Sequence, residues 1–479
     1  MFKKNPLRDS FFDDINGHSL DKYQRKVVLD DSKELLVVAG AGSGKTLTII
    51  GKIKYLIEKQ NISSSDILCL SFTNETVNNL KNKIKYNVDV LTFHKLALRI
   101  IQDNNYQYNI ANDALLTYIV DEYFKSFYIN NSLLKEYFEC SLIDKITSSD
   151  NYIILKNNII SFIKKIKCNN LSIKNLYKIV RKSNNKEKIF LIFALNIFRI
   201  YNEELRSTNK IDFDDMIINA KKIIENNGII NNYKYIIIDE YQDISLIRFN
   251  LIKSILDKSH AHLICVGDDY QSIYGFSGSN IFLFIDFFKY FPKAKRIDIK
   301  NTYRNSYELI RTSIKFIMKN PYQLRKNIHA KFLLKYPIIL MYYDNLEEGY
   351  DKLINYLYLE KKRNILTLAR YNEDLKKIKN KNSGMNVKCL TVHMSKGLEG
   401  DNVILIKMSD EYLGFPSKIN EERLLSFNSK EEIEYAEERR LFYVALTRTR
   451  EKIYILVPRN NPSRFINEIK NDCVELLLK

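Results

Sequence analysis

The segment Ala39-Gly40-Ala41-Gly42-Ser43-Gly44-Lys45-Thr46 constrains this chain more than any other. It follows the apolar run Leu35-Leu36-Val37-Val38 and precedes a helical pattern, so it sits where a strand hands over to a helix. A P-loop needs that setting. Its glycines let the backbone curl until N–H groups face a β-phosphate, Lys45 can bridge the β- and γ-phosphates, and Thr46 can hold Mg²⁺. A glycine-rich turn with no ligand looks the same in isolation, but glycine usage argues against it. Of 14 glycines in 479 residues, three fall between Gly40 and Gly44, and Gly267, Gly275, Gly278, Gly397 and Gly400 lie in the other motifs below. Binding of a nucleoside triphosphate is therefore expected.

With 45% hydrophobic residues the chain can bury two or three cores, since domains hold roughly 100–200 residues. Asp9, Asp13 and Asp14 interrupt the N-terminus before the apolar core of a signal peptide forms, so export is not expected. The densest apolar run, from Ile189 to Phe198, contains Asn196 and is flanked by Lys188 and Arg199, short of the roughly 20 residues of a membrane span. It reads as a buried helix, and no membrane partner is expected. Six scattered cysteines form no C-x-x-C pair, which fits a reducing cytoplasm, with Cys69, Cys265 and Cys389 as small buried thiols in strand-like runs. The formal charge of +18 suits a polyanionic partner. Abundant Lys, Asn, Ile and Tyr with no Trp equally suit an AT-rich genome, so charge alone does not select that partner.

Strand-like apolar runs ending in polar turns recur at 35–38, 67–70, 235–238, 262–266, 364–368, 387–391, 403–406 and 452–457, and helical patterns separate most of them. The alternation predicts an α/β fold, with parallel sheets covered by helices and ligands at the carboxyl ends of strands. Residues 97–205 instead show helical periodicity rich in Tyr, Leu, Ile and Lys, which predicts an all-helical insertion. The expected organisation is a first lobe over 1–96 and 206–297, the insertion over 97–205, and a second lobe over 298–479.

A P-loop also needs an acidic strand end, and Tyr235-Ile236-Ile237-Ile238-Asp239-Glu240-Tyr241-Gln242-Asp243 supplies one. Asp239 is placed to hold Mg²⁺ through water and Glu240 to activate the attacking water. As an isolated Asp-Glu pair this would more often be a solvated helix cap. The motif Asp239-Glu240-Tyr241-Gln242-Asp243 and the run Val266-Gly267-Asp268-Asp269-Tyr270-Gln271-Ser272-Ile273-Tyr274 resemble the second and third motifs of UvrD/Rep-type superfamily 1 DNA helicases. The match continues in Leu20-Asp21-Lys22-Tyr23-Gln24, Ser71-Phe72-Thr73-Asn74, Thr92-Phe93-His94 and Asn301-Thr302-Tyr303-Arg304. It closes with Thr391-Val392-His393-Met394-Ser395-Lys396-Gly397-Leu398-Glu399 and the run from Glu437 to Arg448. Within the family the helicase IV branch is most similar, through Asp243-Ile244-Ser245, Ile211-Asp212-Phe213 and the run at Gly267.

The resemblance implies two RecA-like P-loop lobes with parallel sheets. It implies a hydrolytic site of Lys45, Thr46, Asp239, Glu240, Gln271, Arg304 and Arg448, with the two arginines on the second lobe. Fixed cations placed across a cleft would make hydrolysis depend on lobe closure. ATP would be held by Ala39, Gly40, Ala41, Gly42, Ser43, Gly44, Lys45 and Thr46, with Gln24, Tyr303 and Glu399 at the adenine and ribose, and Mg²⁺ by Thr46 and Asp239. Single-stranded DNA would meet Phe72, Thr92, His94, Tyr274, Phe276 and His393, because a motor stepping over any sequence holds bases by stacking. Phe276 also reads as a core residue of a turn, and His94 and His393 as satisfied structural histidines.

Four positions depart from the family pattern. Leu47 stands where many relatives place an arginine beside the adenine, Arg248 where many place a glutamine, Glu75 where a lysine is common, and Phe276 where tryptophan is usual. Fewer than 90 residues separate Arg304 from His393, so the large accessory insertion of the family is expected to be absent. An N-terminal extension and a C-terminal zinc element are also not expected, and duplex engagement would then need a protein partner. The implied activity is an ATP-driven motor moving 3′ to 5′ on single-stranded DNA and separating partially duplex DNA. The alternative is a translocase that displaces proteins or unwinds only with a partner. A binding module with a lapsed ATPase fits poorly with Glu240, Gln271 and Arg448, and a small-molecule kinase leaves the motifs after residue 260 without purpose.

Overall fold

The computed structural model describes residues 6–112, 114–127, 133, 136–137, 150–171, 175–176, 183–226, 228, 230–378, 386–419 and 431–477. Two six-stranded parallel sheets organise them. The first contains β1 (Glu34–Ala39), β2 (Ile67–Ser71), β3 (Asp89–Thr92), β4 (Tyr235–Ile238), β5 (His262–Gly267) and β6 (Lys295–Ile299), in the order β3-β2-β4-β5-β1-β6. The second contains β7 (Ile338–Tyr343), β8 (Ile365–Ala369), β9 (Val387–Thr391), β10 (Gly400–Leu405), β11 (Thr449–Pro458) and β12 (Val474–Glu475), in the order β9-β8-β10-β11-β7-β12. Numbered within each sheet, the two orders are the same, so the second lobe repeats the topology of the first.

Central strands of such sheets are covered on both faces and so are apolar throughout. In β1, Leu36 and Val38 join one core while Leu35, Val37 and Ala39 join the core on the other face, following the alternation of side chains along a strand. The same division sends Leu366 and Leu368 of β8 to one side of the second sheet and Ile365 and Ala369 to the other. The eight runs expected as strands all lie in these sheets. Of the other four strands, β3, β6, β7 and β12, β6 lies on the edge of the first sheet. Its charged residues Lys295, Arg296 and Asp298 fit an edge strand, and pairing with β1 keeps the first sheet going through Ile299, past the expected lobe boundary at 297.

Between β3 and β4, helices Ala114–Phe127, Asp150–Cys168 and Asn185–Ser207 enclose a core of their own that includes Val120, Phe124, Leu155, Phe162, Phe193 and Ile197. The run around Ile189 lies within the last of these helices. A short parallel pairing of Asn109–Ile110 with Lys210–Ile211 joins the base of this unit. Among the described residues no helix is long and apolar enough to cross a membrane. Cys69 and Cys265 are buried as expected, whereas Cys389 is only half-buried on the edge strand β9.

Candidate active site

The phosphate loop leaves β1 at Ala39 and enters the helix Lys45–Glu58. Two of its residues require glycine. Gly42 (φ +67°) and Gly44 (φ +78°) are left-handed, and a Cβ on Gly42 would lie 2.5 Å from Arg304 Cβ. Second-lobe chemistry thus begins against the loop itself: Thr302 Oγ1 donates to Ala41 O (2.8 Å) and Tyr303 N to Gly42 O (2.9 Å). Gln24 is buried; its Nε2 donates to Ser43 O (3.1 Å) while its Oε1 accepts from Asp21 N (2.8 Å), closing a capping box on the helix Lys22–Leu29. A cavity of about 680 Å³ opens beside the loop, lined by Gln24, Gly42, Gly44, Thr46, Tyr303 and Glu399 among others. Leu47 lines it too, and the half-exposed Tyr303 donates its hydroxyl to Asp21 Oδ2 (2.8 Å).

Asp239 and Glu240 stand at the carboxyl end of β4, across from the loop. Glu240 adopts a left-handed backbone (φ +53°), and its Oε1 lies 4.0 Å from Lys45 Nζ. Burial, then the charge of Glu240, pushes the Asp239 carboxyl up to about 7. Burial also opposes ionisation of Glu240, but Lys45, Lys396 and the Gln242 amide outweigh it and hold that carboxyl at about 2. One acid of the pair is therefore firmly ionised and the other gains from a neighbouring cation.

From Glu240 a chain of polar contacts crosses to the second lobe. Gln242 Nε2 donates to Glu240 Oε2 (2.6 Å), and Asp268 N donates to Gln242 Oε1 (2.9 Å). Gln271 Nε2 donates to Asp268 Oδ2 (2.6 Å), and Arg448 Nη2 donates to Gln271 Oε1 (3.0 Å). Burial, then the charge of Arg304, lowers the Arg448 guanidinium to about 9. Arg304 itself pairs with Glu399, Nε to Oε2 at 2.6 Å, and Arg450 shares that carboxylate. The lobes meet again where Lys396 contacts Asp243 and donates to Gln271 O (2.7 Å). Gln242, Asp268 and Lys396 were not singled out as site residues, although all three lie within motifs visible in the sequence.

The six candidate DNA contacts fall into two groups. Phe72, Thr92 and His94 line a cavity of about 660 Å³ between the first sheet and the helical unit. Phe72 packs on Phe93 (5.1 Å) beneath Arg248 (5.4 Å), and His94 sits edge-on to Phe213 (5.2 Å). Tyr274, Phe276 and His393 form the second group: Phe276 lies 6.1 Å from Tyr274 with the rings at 62°, and 5.4 Å from His393 with the rings at 89°. At 41% exposure Phe276 is a surface residue and not the core of a turn. Burial, then nearby cations, lowers His94 to about 4 and His393 to about 3, so both are neutral near pH 7.

Two sheets of one topology, with a phosphate loop on the first and an arginine reaching its acid pair's network from the second, define a two-lobed P-loop protein of the RecA-like class. Residues 20–292, more than half of the chain, match the UvrD/REP helicase N-terminal domain, and the chain belongs to the UvrD/Rep helicase family. It is similar to DNA helicase IV of Escherichia coli, at 29% identity over 96% of this chain and 71% of that protein. It is also similar to a probable DNA helicase II homolog of Mycoplasma capricolum (31% identity; 64% of this chain, 42% of that one). A third relative is the ATP-dependent DNA helicase Rep of Buchnera aphidicola (28%; 65% and 44%). The chain thus spans most of the helicase IV length and less than half of the other two.

Proposed function

We propose that this chain is an ATP-driven motor that moves 3′ to 5′ along single-stranded DNA and separates duplex ahead of it. The observation that carries the reading is the continuous polar path from Glu240 through Gln242, Asp268 and Gln271 to Arg448, which ties the acid of the first lobe to a cation of the second. The polarity follows the family resemblance.

The loop fits a triphosphate. Gly42 and Gly44 take the left-handed backbone such a cradle needs, the buried Ser43 hydroxyl has no partner among the described residues, and Lys45 points its ammonium toward Glu240. Ala39 to Thr46 would hold the phosphates, Thr46 and Asp239 would hold Mg²⁺, and Tyr303, Gln24 and Glu399 would border the base and ribose. When bound, Mg²⁺ would supply positive charge at the phosphates. Glu240, held ionised by Lys45, takes the proton of the attacking water. Arg304 and Arg448 offset charge on the γ-phosphoryl oxygens. Because both arginines belong to the second lobe, turnover depends on closure, and alternate closing and opening moves the DNA-holding surfaces past one another. The scattered cysteines form no C-x-x-C pair, which suits action in the cytoplasm.

A second reading, a translocase that unwinds only with a partner, is favoured by one observation. Between Arg304 and His393 the described residues form helices Tyr307–Ile317, Leu346–Leu359 and Asn372–Lys376 and strands that build the second lobe, with no separate core cluster. Strand separation assayed on partial duplexes with a 3′ or a 5′ single-stranded tail tests both. Unwinding of the 3′-tailed substrate alone supports the first reading; ATP-dependent movement without unwinding supports the second; unwinding from the 5′ tail contradicts the polarity.

A further inference from the structure

Lys326 lies outside every motif read from the sequence, yet its side chain is 4% exposed and wedged against two fully buried carboxylates. Its ammonium contacts Asp268 Oδ1, stands 2.6 Å from Asp269 Oδ1, and lies 3.7 Å from the centre of the Tyr270 ring. The segment that carries it is strapped to the first lobe. Leu324 N donates to Asp269 Oδ2 (2.8 Å), and the Tyr270 hydroxyl donates to Leu324 O (2.8 Å). Two residues beyond Lys326, Ile328 lies against Gly40, where a Cβ would come within 2.6 Å of its Cδ1. One strap therefore touches both the turn that carries Gln271 and the start of the phosphate loop.

Asp268 is the shared group. Its Oδ2 accepts from Gln271 Nε2, and Lys326 takes its Oδ1. A glutamine amide has one donor end and one acceptor end. With Nε2 given to Asp268 Oδ2, Gln271 turns Oε1 toward Arg448, which donates to it. The amide orientation thus follows the placement of the Asp268 carboxylate, and Lys326 sets that placement by holding its Oδ1. The other ionisable groups acting here are Asp269, Tyr270, Tyr443, Arg440 and Arg448. Neither arginine contacts the Asp268 carboxylate as Lys326 does.

We propose that Lys326 is a positioning residue that holds the Asp268 carboxylate in place and thereby fixes the Gln271 amide in the orientation that receives Arg448. The inference rests on the motor reading above. Its test is steady-state ATP hydrolysis with saturating oligothymidylate, comparing wild type with Lys326→Met. The variant should lose about tenfold or more in kcat while KM for ATP stays within about threefold. Lys326→Gln, which keeps a donor without charge, carries the same test if the Met variant does not fold. A kcat within about twofold of wild type, or a KM for ATP that rises in step with the loss of kcat, overturns the proposal. Thermal melts showing that neither variant folds also overturn it, since Lys326 would then serve the fold. A wild type without DNA-stimulated hydrolysis would instead defeat the motor reading, so the wild-type arm separates the two failures.

Discussion

Arg448, on the second lobe, donates from Nη2 to Gln271 Oε1 of the first lobe at 3.0 Å, and both side chains are buried. Among the described residues, the Arg448 guanidinium otherwise donates to carbonyls of its own lobe, Val444 O and Leu398 O. Gln271 is thus the group through which this cation meets the acid pair. Gln271→Ala should lower kcat for ATP hydrolysis by about 10- to 100-fold, with a smaller change in KM, because the contact belongs to closure more than to nucleotide capture. Steady-state kinetics with single-stranded DNA present check this; an unchanged kcat with a raised KM would assign Gln271 to nucleotide binding.

Asp239→Asn should abolish hydrolysis and stabilise the nucleotide-free protein. Burial and Glu240 raise the Asp239 carboxyl to about 7 from its ordinary 3.8. A raised folded-state value means that the folded protein binds a proton the unfolded chain releases, so ionised Asp239 costs stability above about pH 7. The asparagine removes that cost. A melting temperature higher by roughly 2 °C or more at pH 8, with the gain shrinking toward pH 5, is the expected outcome. A variant that melts lower than wild type at pH 8 would contradict it.

Acid sensitivity should trace partly to two histidines. His94 and His393 are lowered in the folded protein to about 4 and about 3, chiefly by burial, against 6.5 for an ordinary imidazole. As pH falls through 6.5 the unfolded chain takes up protons that these folded rings refuse, so their effect is a loss of stability from about pH 6.5 downward. The double variant His94→Gln/His393→Gln should show a shallower fall of melting temperature between pH 7 and 5, measured by calorimetry. An identical slope would mean that neither ring is held neutral.

Phe276 offers an exposed aromatic face beside Tyr274 and His393. A base stacked on such a face contributes roughly 1–3 kcal/mol, so Phe276→Ala should weaken binding to oligothymidylate by about 5- to 100-fold at fixed salt. Phe276→Trp should bind at least as tightly as wild type. Fluorescence anisotropy reads both, and the salt dependence should be the same in all three, since no phosphate contact is altered.

The eight apolar strands and the phosphate loop were legible because strand burial and loop chemistry are local. β3 has four residues and one aspartate, and β6 alternates charge with apolar residues on a sheet edge, so neither gives a continuous apolar run. The shared strand order of the two lobes depends on pairings between distant segments, which no local pattern carries. At the site, Lys45, Asp239, Glu240, Gln271 and Arg448 could be read from their motifs. The capping box of Asp21 with Gln24 was also open to reading, as an acid three residues before a glutamine at a helix start. Lys326 was not: it meets Asp268 from 58 residues away, and nothing in its own neighbourhood marks it.

ATP hydrolysis measured with and without single-stranded DNA at low salt, on wild type and Arg448→Ala, tests most directly whether the two lobes form one DNA-dependent engine. Strong stimulation by DNA in the wild type, lost by about 100-fold or more in Arg448→Ala, is the expected result. Hydrolysis that ignores DNA, or that survives the loss of Arg448, would contradict it.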